Sequence, residues 1–264
     1  MSVSDAEDLS LSAYSPDRSL PAKLNRRLIQ WMTVRSMQHA PKQAIVSFTF
    51  DDFPRSAADN GARIVESVGG RGTFYAATGM AGKSNVTGEL FSESDISALL
   101  KAGHEIGAHT HSHLDCAKAS LDTVADELKT NRDSLIEMGV SAAPAHFAYP
   151  FGETTVALKT RLDGAVSTAR GILPGINRRG ADLMQLRALE LTPDTSTLDR
   201  AAKAIEAASR TPAWVIIFTH DVREAPSDYG VTPSGLRRLV RLASDSGASI
   251  QSIGQAYSSI GLAA

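Results

Sequence analysis

Ala44-Ile45-Val46-Ser47-Phe48-Thr49-Phe50 runs directly into Asp51-Asp52-Phe53-Pro54. The first seven residues, rich in β-branched and aromatic side chains, read as a buried strand. The two carboxylates then stand at its C-terminal end. A second stretch repeats the arrangement: Glu105-Ile106-Gly107-Ala108 reads as a strand and leads into His109-Thr110-His111-Ser112-His113. Strand C-termini are where α/β barrels and open parallel sheets carry their chemistry.

A lone histidine is ordinarily a surface or satisfied core residue, and a lone Asp-Asp a solvated turn. Three of the chain's seven histidines within five residues are harder to set aside. A hard carboxylate with two imidazoles is the usual ligand set of a catalytic divalent metal with open positions. His109 and His113, four apart, are expected on one side of a single helical turn. The spare aspartate of the pair is then available for acid–base work.

Outward from these clusters the chain alternates between two periods. Strands are expected at 44–50, 72–77, 104–108, 145–149, 164–168, 185–190, 213–219 and 248–252. Helices are expected at 55–68, 93–102, 120–138, 154–162, 197–209 and 233–246. Leu121, Val124, Ala125, Leu128, Leu135 and Ile136 recur at helical spacing and read as core, as do Leu236, Leu239 and Val240. This alternation implies a parallel sheet with helical crossovers, and periodicity alone leaves open whether it is a barrel or a doubly wound sheet.

At 264 residues one α/β barrel accounts for the length. A formal charge of −2 gives no electrostatic case for nucleic acid. The single Cys116 excludes an intrachain disulfide and reads as a buried small residue. Residues 1–43 form an N-terminal extension ahead of a catalytic domain at 44–264. Leu24, Leu28 and Trp31-Met32 lie at helical spacing within a helix expected over 17–38, alongside Arg18, Lys23, Arg26 and Arg27. An extra helix packed on the domain is the plain reading. Weak contact with an anionic membrane surface is the sharper one. The acidic start, Met1 to Asp8, carries no secretory pattern, and the longest apolar run, Ala213 to Phe218, suits a strand rather than a membrane span. A cytoplasmic location is therefore expected.

Thr49-Phe50-Asp51-Asp52 followed by His109-Thr110 and, three residues on, His113 resembles the polysaccharide deacetylases of carbohydrate esterase family 4. Phe147-Ala148-Tyr149-Pro150-Phe151-Gly152 is similar to that family's third motif, and Ile216-Ile217-Phe218-Thr219-His220-Asp221 to its last. Ile96, Leu99 and Leu100, leading into Ala102-Gly103-His104-Glu105-Ile106-Gly107, resemble its passage into the histidine strand. The resemblance spans about residues 44–255. It implies a distorted (β/α) barrel and a hydrolase removing N-acetyl groups from N-acetylhexosamine units, in an exopolysaccharide or adhesin pathway. The partner is an N-acetylated polysaccharide or a lipid-linked glycan intermediate.

The resemblance also implies roles. Asp52, His109 and His113 hold one divalent ion, zinc first and cobalt, manganese or nickel next. Asp51 is the base and His220 the acid. The Phe151 N–H helps bind the oxyanion, Tyr149, Pro150 and Phe151 wall the groove, and Phe218 lines the acetyl pocket. Many relatives have an arginine where this chain has Ala148, and that arginine helps hold the base; deacetylases of biofilm-type polysaccharides carry a similar Phe-Ala-Tyr-Pro segment. No fourth motif is evident; its place is Asp182 to Arg187. Arg187 and Asp182 are candidates to orient His220 or Asp51, with a surface ion pair as the plain alternative, and Asp221 is another candidate partner for His220. His111 is expected behind the ligands, and His104 and His146 in structural roles. A metal-dependent amidase on a small cyclic or linear amide is the alternative enzyme. A non-catalytic carbohydrate-binding relative is the alternative outside catalysis, and such a protein needs neither Asp51 nor His220.

Overall fold

The computed structural model describes residues 29–262. In chain order its strands are β1 (Ile45–Asp51), β2 (Thr73–Ala76), β3 (Ser84–Asn85), β4 (Gly88–Glu89), β5 (Glu105–Ala108), β6 (His146–Ala148), β7 (Thr168–Arg170), β8 (Leu189–Glu190), β9 (Trp214–Thr219) and β10 (Ser249–Ile250). β1 is buried at every position. A strand buried on both faces needs neighbours on both edges and cover above and below. β2 and β9 flank it, both parallel, and β10 pairs with its first residues. The full order is β7-β6-β5-β2-β1-β9-β8, parallel throughout. β7 and β8 remain unpaired with each other, so the sheet curls into a half-barrel with a seam between them. Residues 171–188 cross that seam, and a bridge between Arg170 and Leu186 partly closes it.

The pleat sorts side chains into two cores. Val46, Phe48 and Phe50 of β1, with Phe74, Val215 and Ile217, face outward against the helices. Phe50 stacks on Phe74 at 4.7 Å. Each such buried ring contributes about 1.5–3 kcal/mol by leaving water. The opposite column of β1 begins with Ile45 and faces the barrel interior with Tyr75, Phe147, Trp214, Ile216 and Phe218. There the Trp214 indole N–H donates to Ser47 Oγ at 2.9 Å, satisfying a polar group that burial would otherwise strand.

The crossover helices Glu93–Lys101, Leu121–Glu137, Thr195–Arg210 and Pro233–Asp245 lie within two residues of the expected ranges at each end. Each starts at a capping side chain, Ser92, Ser120, Asp194 or Thr232, that accepts a first-turn N–H. The expected strand at 164–168 is displaced to Thr168–Arg170. Gly164, at φ 88°, turns the chain after the preceding helix, and Val166 packs into the interior from that turn instead of from a strand. The hairpin β3–β4 and the helix Ile253–Ser259 were not anticipated. The helix announces itself only by the capping box Ser252/Gln255.

The helix expected over 17–38 ends early. Residues 17–28 lie outside the described residues, residues 29–31 are helical, and from Met32 the chain continues as irregular backbone with one bridge residue, Ser36. Ser36 bridges to Asp182 and the Met37 N–H donates to the Ala181 carbonyl. The fully buried Lys159 explains the stop: its ammonium donates to the carbonyls of Ile29 at 3.0 Å and Met32 at 2.6 Å and pairs with Asp182 at 2.6 Å. No described helix is long and apolar enough to cross a membrane.

Candidate active site

Two interior columns end at the same rim. On β1, Ile45, Ser47 and Thr49 lead to Asp51. On β9, Trp214, Ile216 and Phe218 lead to His220. Strand alternation alone therefore turns Asp51 and His220 toward one cavity of about 410 Å³, which Asp52, His109 and His113 also line.

Asp51 is buried and met by Arg170, whose Nη2 reaches both carboxylate oxygens at 2.5 Å. Arg170 is itself fully buried, its guanidinium 4.7 Å from the Phe218 ring centroid and 5.4 Å from that of Tyr75. Burial alone would raise the Asp51 carboxyl. The charges of Arg170, His109 and His220 and the Arg170 hydrogen bond outweigh it and hold the group below the usual carboxylate range. Asp51 is thus ionised at neutral pH. Arg170 answers the vacancy at Ala148: the two residues are direct register partners on β7 and β6. The guanidinium arrives from the next strand over. Sequence reasoning missed it because the strand was expected to end at 168, which left Arg170 in a loop.

The metal-ligand candidates converge by backbone strain rather than by helical spacing. The expected helical turn at 109–113 does not form. Thr110 and His113 adopt φ 58°, Asp52 φ 51° and Phe151 φ 58°. These are the described non-glycine residues with positive φ, and all four stand at this rim. Such conformations are uncommon for side-chain-bearing residues and persist where surrounding contacts impose them. The Thr110 hydroxyl accepts the Leu114 N–H at 2.9 Å, holding the loop. His111 turns away from the cavity, its Nδ1 2.8 Å from the Thr78 hydroxyl, while its carbonyl accepts the Gly79 N–H at 2.8 Å. A side chain at 79 would put a Cβ 2.8 Å from that carbonyl, so glycine is required there. His111 braces the loop from behind.

His109 Nε2 lies 3.7 Å from Asp52 Oδ1 and His113 Nε2 3.5 Å from Asp52 Oδ2. One ligand atom from each of the three residues falls within 4.8 Å of the others. His109 Nδ1–H donates to the Ala148 carbonyl at 2.8 Å, which fixes the tautomer and frees Nε2 as a lone-pair donor. Burial pushes His109 down to about 4, so its ring is neutral at neutral pH, as a ligand must be. Asp52 Oδ1 is buried with no hydrogen-bond partner. An unpartnered buried carboxylate oxygen facing two imidazole nitrogens is costly without a cation, so the residues fit a divalent ion.

The walls depart in part from expectation. Phe151 lines the cavity, its ring 4.5 Å from that of His113. Tyr149 also lines the cavity, although it is buried and its hydroxyl donates to the Met184 carbonyl at 2.9 Å, whereas the buried Pro150 is not among the lining residues. Phe218 lines the cavity and also supports Arg170. The candidates for orienting His220 fall away. Asp221 is turned from it, bonded to Arg223 and Ser227. Arg187 is exposed and donates to the Pro174 carbonyl, and Asp182 is taken by Lys159. The partner of His220 is instead the Tyr229 carbonyl, 3.3 Å from Nδ1, which leaves Nε2 free. No side-chain signal marks that contact in the sequence. Glu190, on β8 beside β9, also lines the cavity and was missed, since nothing in sequence links it to the motifs. His104 and His146 lie away from the cavity, bonded to Glu66 and Thr168 respectively.

Residues 38–165 match the family model described as polysaccharide deacetylase. No curated protein matches the chain. Several solved structures share its fold. A family 4 acetyl xylan esterase from Clostridium thermocellum, solved in complex with a cobalt ion, superposes with a TM-score of 0.60 at 22% identity, covering 83% of this chain and 93% of the esterase. A protein from Mycobacterium smegmatis described as a polysaccharide deacetylase gives 0.62 at 15% identity, over 86% of this chain and 95% of the other. The peptidoglycan deacetylase PdaC from Bacillus subtilis gives 0.52 at 16% identity, over 83% and 92%.

Proposed function

We propose, on the premise that this chain carries a polysaccharide deacetylase domain, that it hydrolyses the N-acetyl groups of N-acetylhexosamine units in a polysaccharide. The observation that carries the proposal is the meeting, in one cleft, of three metal-ligand candidates, an ionised aspartate clamped by a buried arginine, and a histidine with one nitrogen free. A divalent ion held by Asp52, His109 and His113 supplies Lewis acidity, which acidifies water and polarises a carbonyl. Zinc suits one carboxylate and two imidazoles best, and the cobalt in the Clostridium thermocellum esterase supports an ion of that class.

The chain's own groups then do the rest. Asp51 takes a proton from the attacking water, and Arg170 keeps it ionised and aimed. The Phe151 N–H, set by its left-handed backbone, donates to the oxygen on which negative charge develops. His220 gives a proton to the departing amine, with the Tyr229 carbonyl fixing which nitrogen acts. One water and one amide become acetate and a free amine. The Ala148 form of the third motif supports a polymer of the exopolysaccharide or adhesin type, met as polymer or as a lipid-linked precursor before export.

The test is acetate release from N-acetylated oligosaccharides with added zinc, cobalt or manganese, alongside a panel of small cyclic and linear amides. Acetate from the sugars supports the reading. Turnover of the small amides alone would replace it with an amidase.

A further inference from the structure

The cleft lining carries an unusual charge. Asp51, Asp52, Glu190 and Asp228 contribute four carboxylates, and among the described residues no lysine or arginine lines the cavity. Asp51 is committed to Arg170 and Asp52 to the ligand set. Glu190 and Asp228 are solvent-exposed and make no hydrogen bond or ion pair among the described residues. Partial burial of the Glu190 carboxyl, with the charge of Asp51, raises it above its usual range against the opposing charges of His220 and Arg170. With a divalent ion bound and Arg170 behind the wall, the four carboxylates would still leave the cleft net negative.

Glu190 and Asp228 line the same cavity as His220 and the exposed ring of Tyr229. Tyr229 is 41% exposed and crosses His220 edge-on at 5.6 Å between ring centroids. The loop presenting Asp228 and Tyr229 is anchored from below by Asp221: the Ser227 N–H and hydroxyl both donate to its carboxylate, and the Tyr229 carbonyl accepts from the His220 N–H and the Thr219 hydroxyl. Asp221 therefore acts by positioning this loop. An exposed ring and two carboxylates lining one cavity match a pyranose that carries an ammonium: the apolar ring face lies on the aromatic, and the cation meets the carboxylates.

We propose that Tyr229, Asp228 and Glu190 form a subsite for a hexosamine unit bearing a free ammonium, next to the unit whose acetyl group is removed. This rests on the deacetylase reading and narrows its substrate class to glycans already partly deacetylated. The product of one cycle then recruits the enzyme to the neighbouring unit, and free amines accumulate in clusters. Glycans with a carboxylate beside the scissile amide are disfavoured by the same charge.

The test compares three probes of equal length: a fully N-acetylated glucosamine pentamer, the same pentamer with one free amine, and an N-acetylated oligomer bearing a carboxylate. The wild-type protein should process the amine-bearing pentamer with a kcat/KM about 3- to 10-fold above the neutral one, as two partly exposed ion pairs allow. The carboxylate-bearing oligomer should fall below both. At about 1 M salt, where the screening length is ~3 Å, the preference should vanish. Glu190→Gln with Asp228→Asn should bring the ratio of amine-bearing to neutral pentamer close to one. Equal rates on the neutral and amine-bearing probes, or a preference that survives the double substitution, overturns the subsite and leaves the deacetylase reading intact. Acetate from none of the sugars overturns both.

Discussion

Arg170→Ala removes one partner of a fully buried ion pair, and the structure sets the scale of the loss. The Asp51 carboxylate is left buried, with no other hydrogen-bond donor recorded for its oxygens among the described residues. Breaking such a pair from one side costs about 3–5 kcal/mol. At about 2–4 °C per kcal/mol for a chain of this size, Tm should fall by roughly 10 °C. Turnover should fall as well, because the base loses both its aim and the largest influence favouring its charged form. A loss of about 100-fold in kcat is the expected scale for general-base catalysis. The companion variant is Ala148→Arg in the Arg170→Ala background. Positions 148 and 170 are register partners on adjacent strands, so a guanidinium from 148 enters the space that 170 vacates. Thermal scans and acetate-release kinetics on the three proteins read both effects. A folded Arg170→Ala protein with wild-type turnover refutes the clamp, as does a double variant that recovers neither stability nor rate.

Asp51→Asn should keep its metal and lose about two orders of magnitude or more in kcat, read by elemental analysis beside single-turnover kinetics. Lys159→Met should lower Tm by a margin similar to that of Arg170→Ala, because Asp182 is then left without its ammonium, while kcat/KM measured well below melting stays unchanged. His104 gives a pH dependence. Burial leads in lowering its pKa, and Nδ1 accepts the Gly72 N–H while Nε2–H donates to Glu66, so the fold holds the neutral ring. That contribution is fully present above about pH 6.5 and is lost as pH falls from there toward the lower folded value. The stability gap between wild type and His104→Gln should therefore shrink from about pH 7 to about pH 5, and a constant gap across equilibrium denaturation curves contradicts the assignment.

The sequence revealed the parts of the site that lie on strands and hid those that depend on loops and backbone. Asp51 and His220 were legible because each ends a run whose alternation is visible residue by residue. The ligands were legible from residue type, but their convergence was misread: His109 and His113 looked like neighbours on a helix, whereas positive φ at Thr110 and His113 brings them together. Ala148 announced a missing arginine and gave no clue to its substitute, because pairing of β6 with β7 is a tertiary fact. The His220 partner is a backbone carbonyl, which any residue at 229 supplies. Asp182, Arg187 and Asp221 drew attention by their charge. Their commitments to Lys159, to the Pro174 carbonyl and to Ser227 arise from segments distant in sequence or from the loop's own fold.

A single catalytic ion is assigned to Asp52, His109 and His113. Protein stripped by a chelator and titrated with zinc, with acetate release from an N-acetylglucosamine oligomer followed at each addition, tests it most directly. Activity should rise from near zero and level off at about one equivalent of metal, as a lone three-residue site requires, with His113→Ala silent throughout that range. Full activity in the stripped protein, or an unchanged titration in His113→Ala, contradicts the claim.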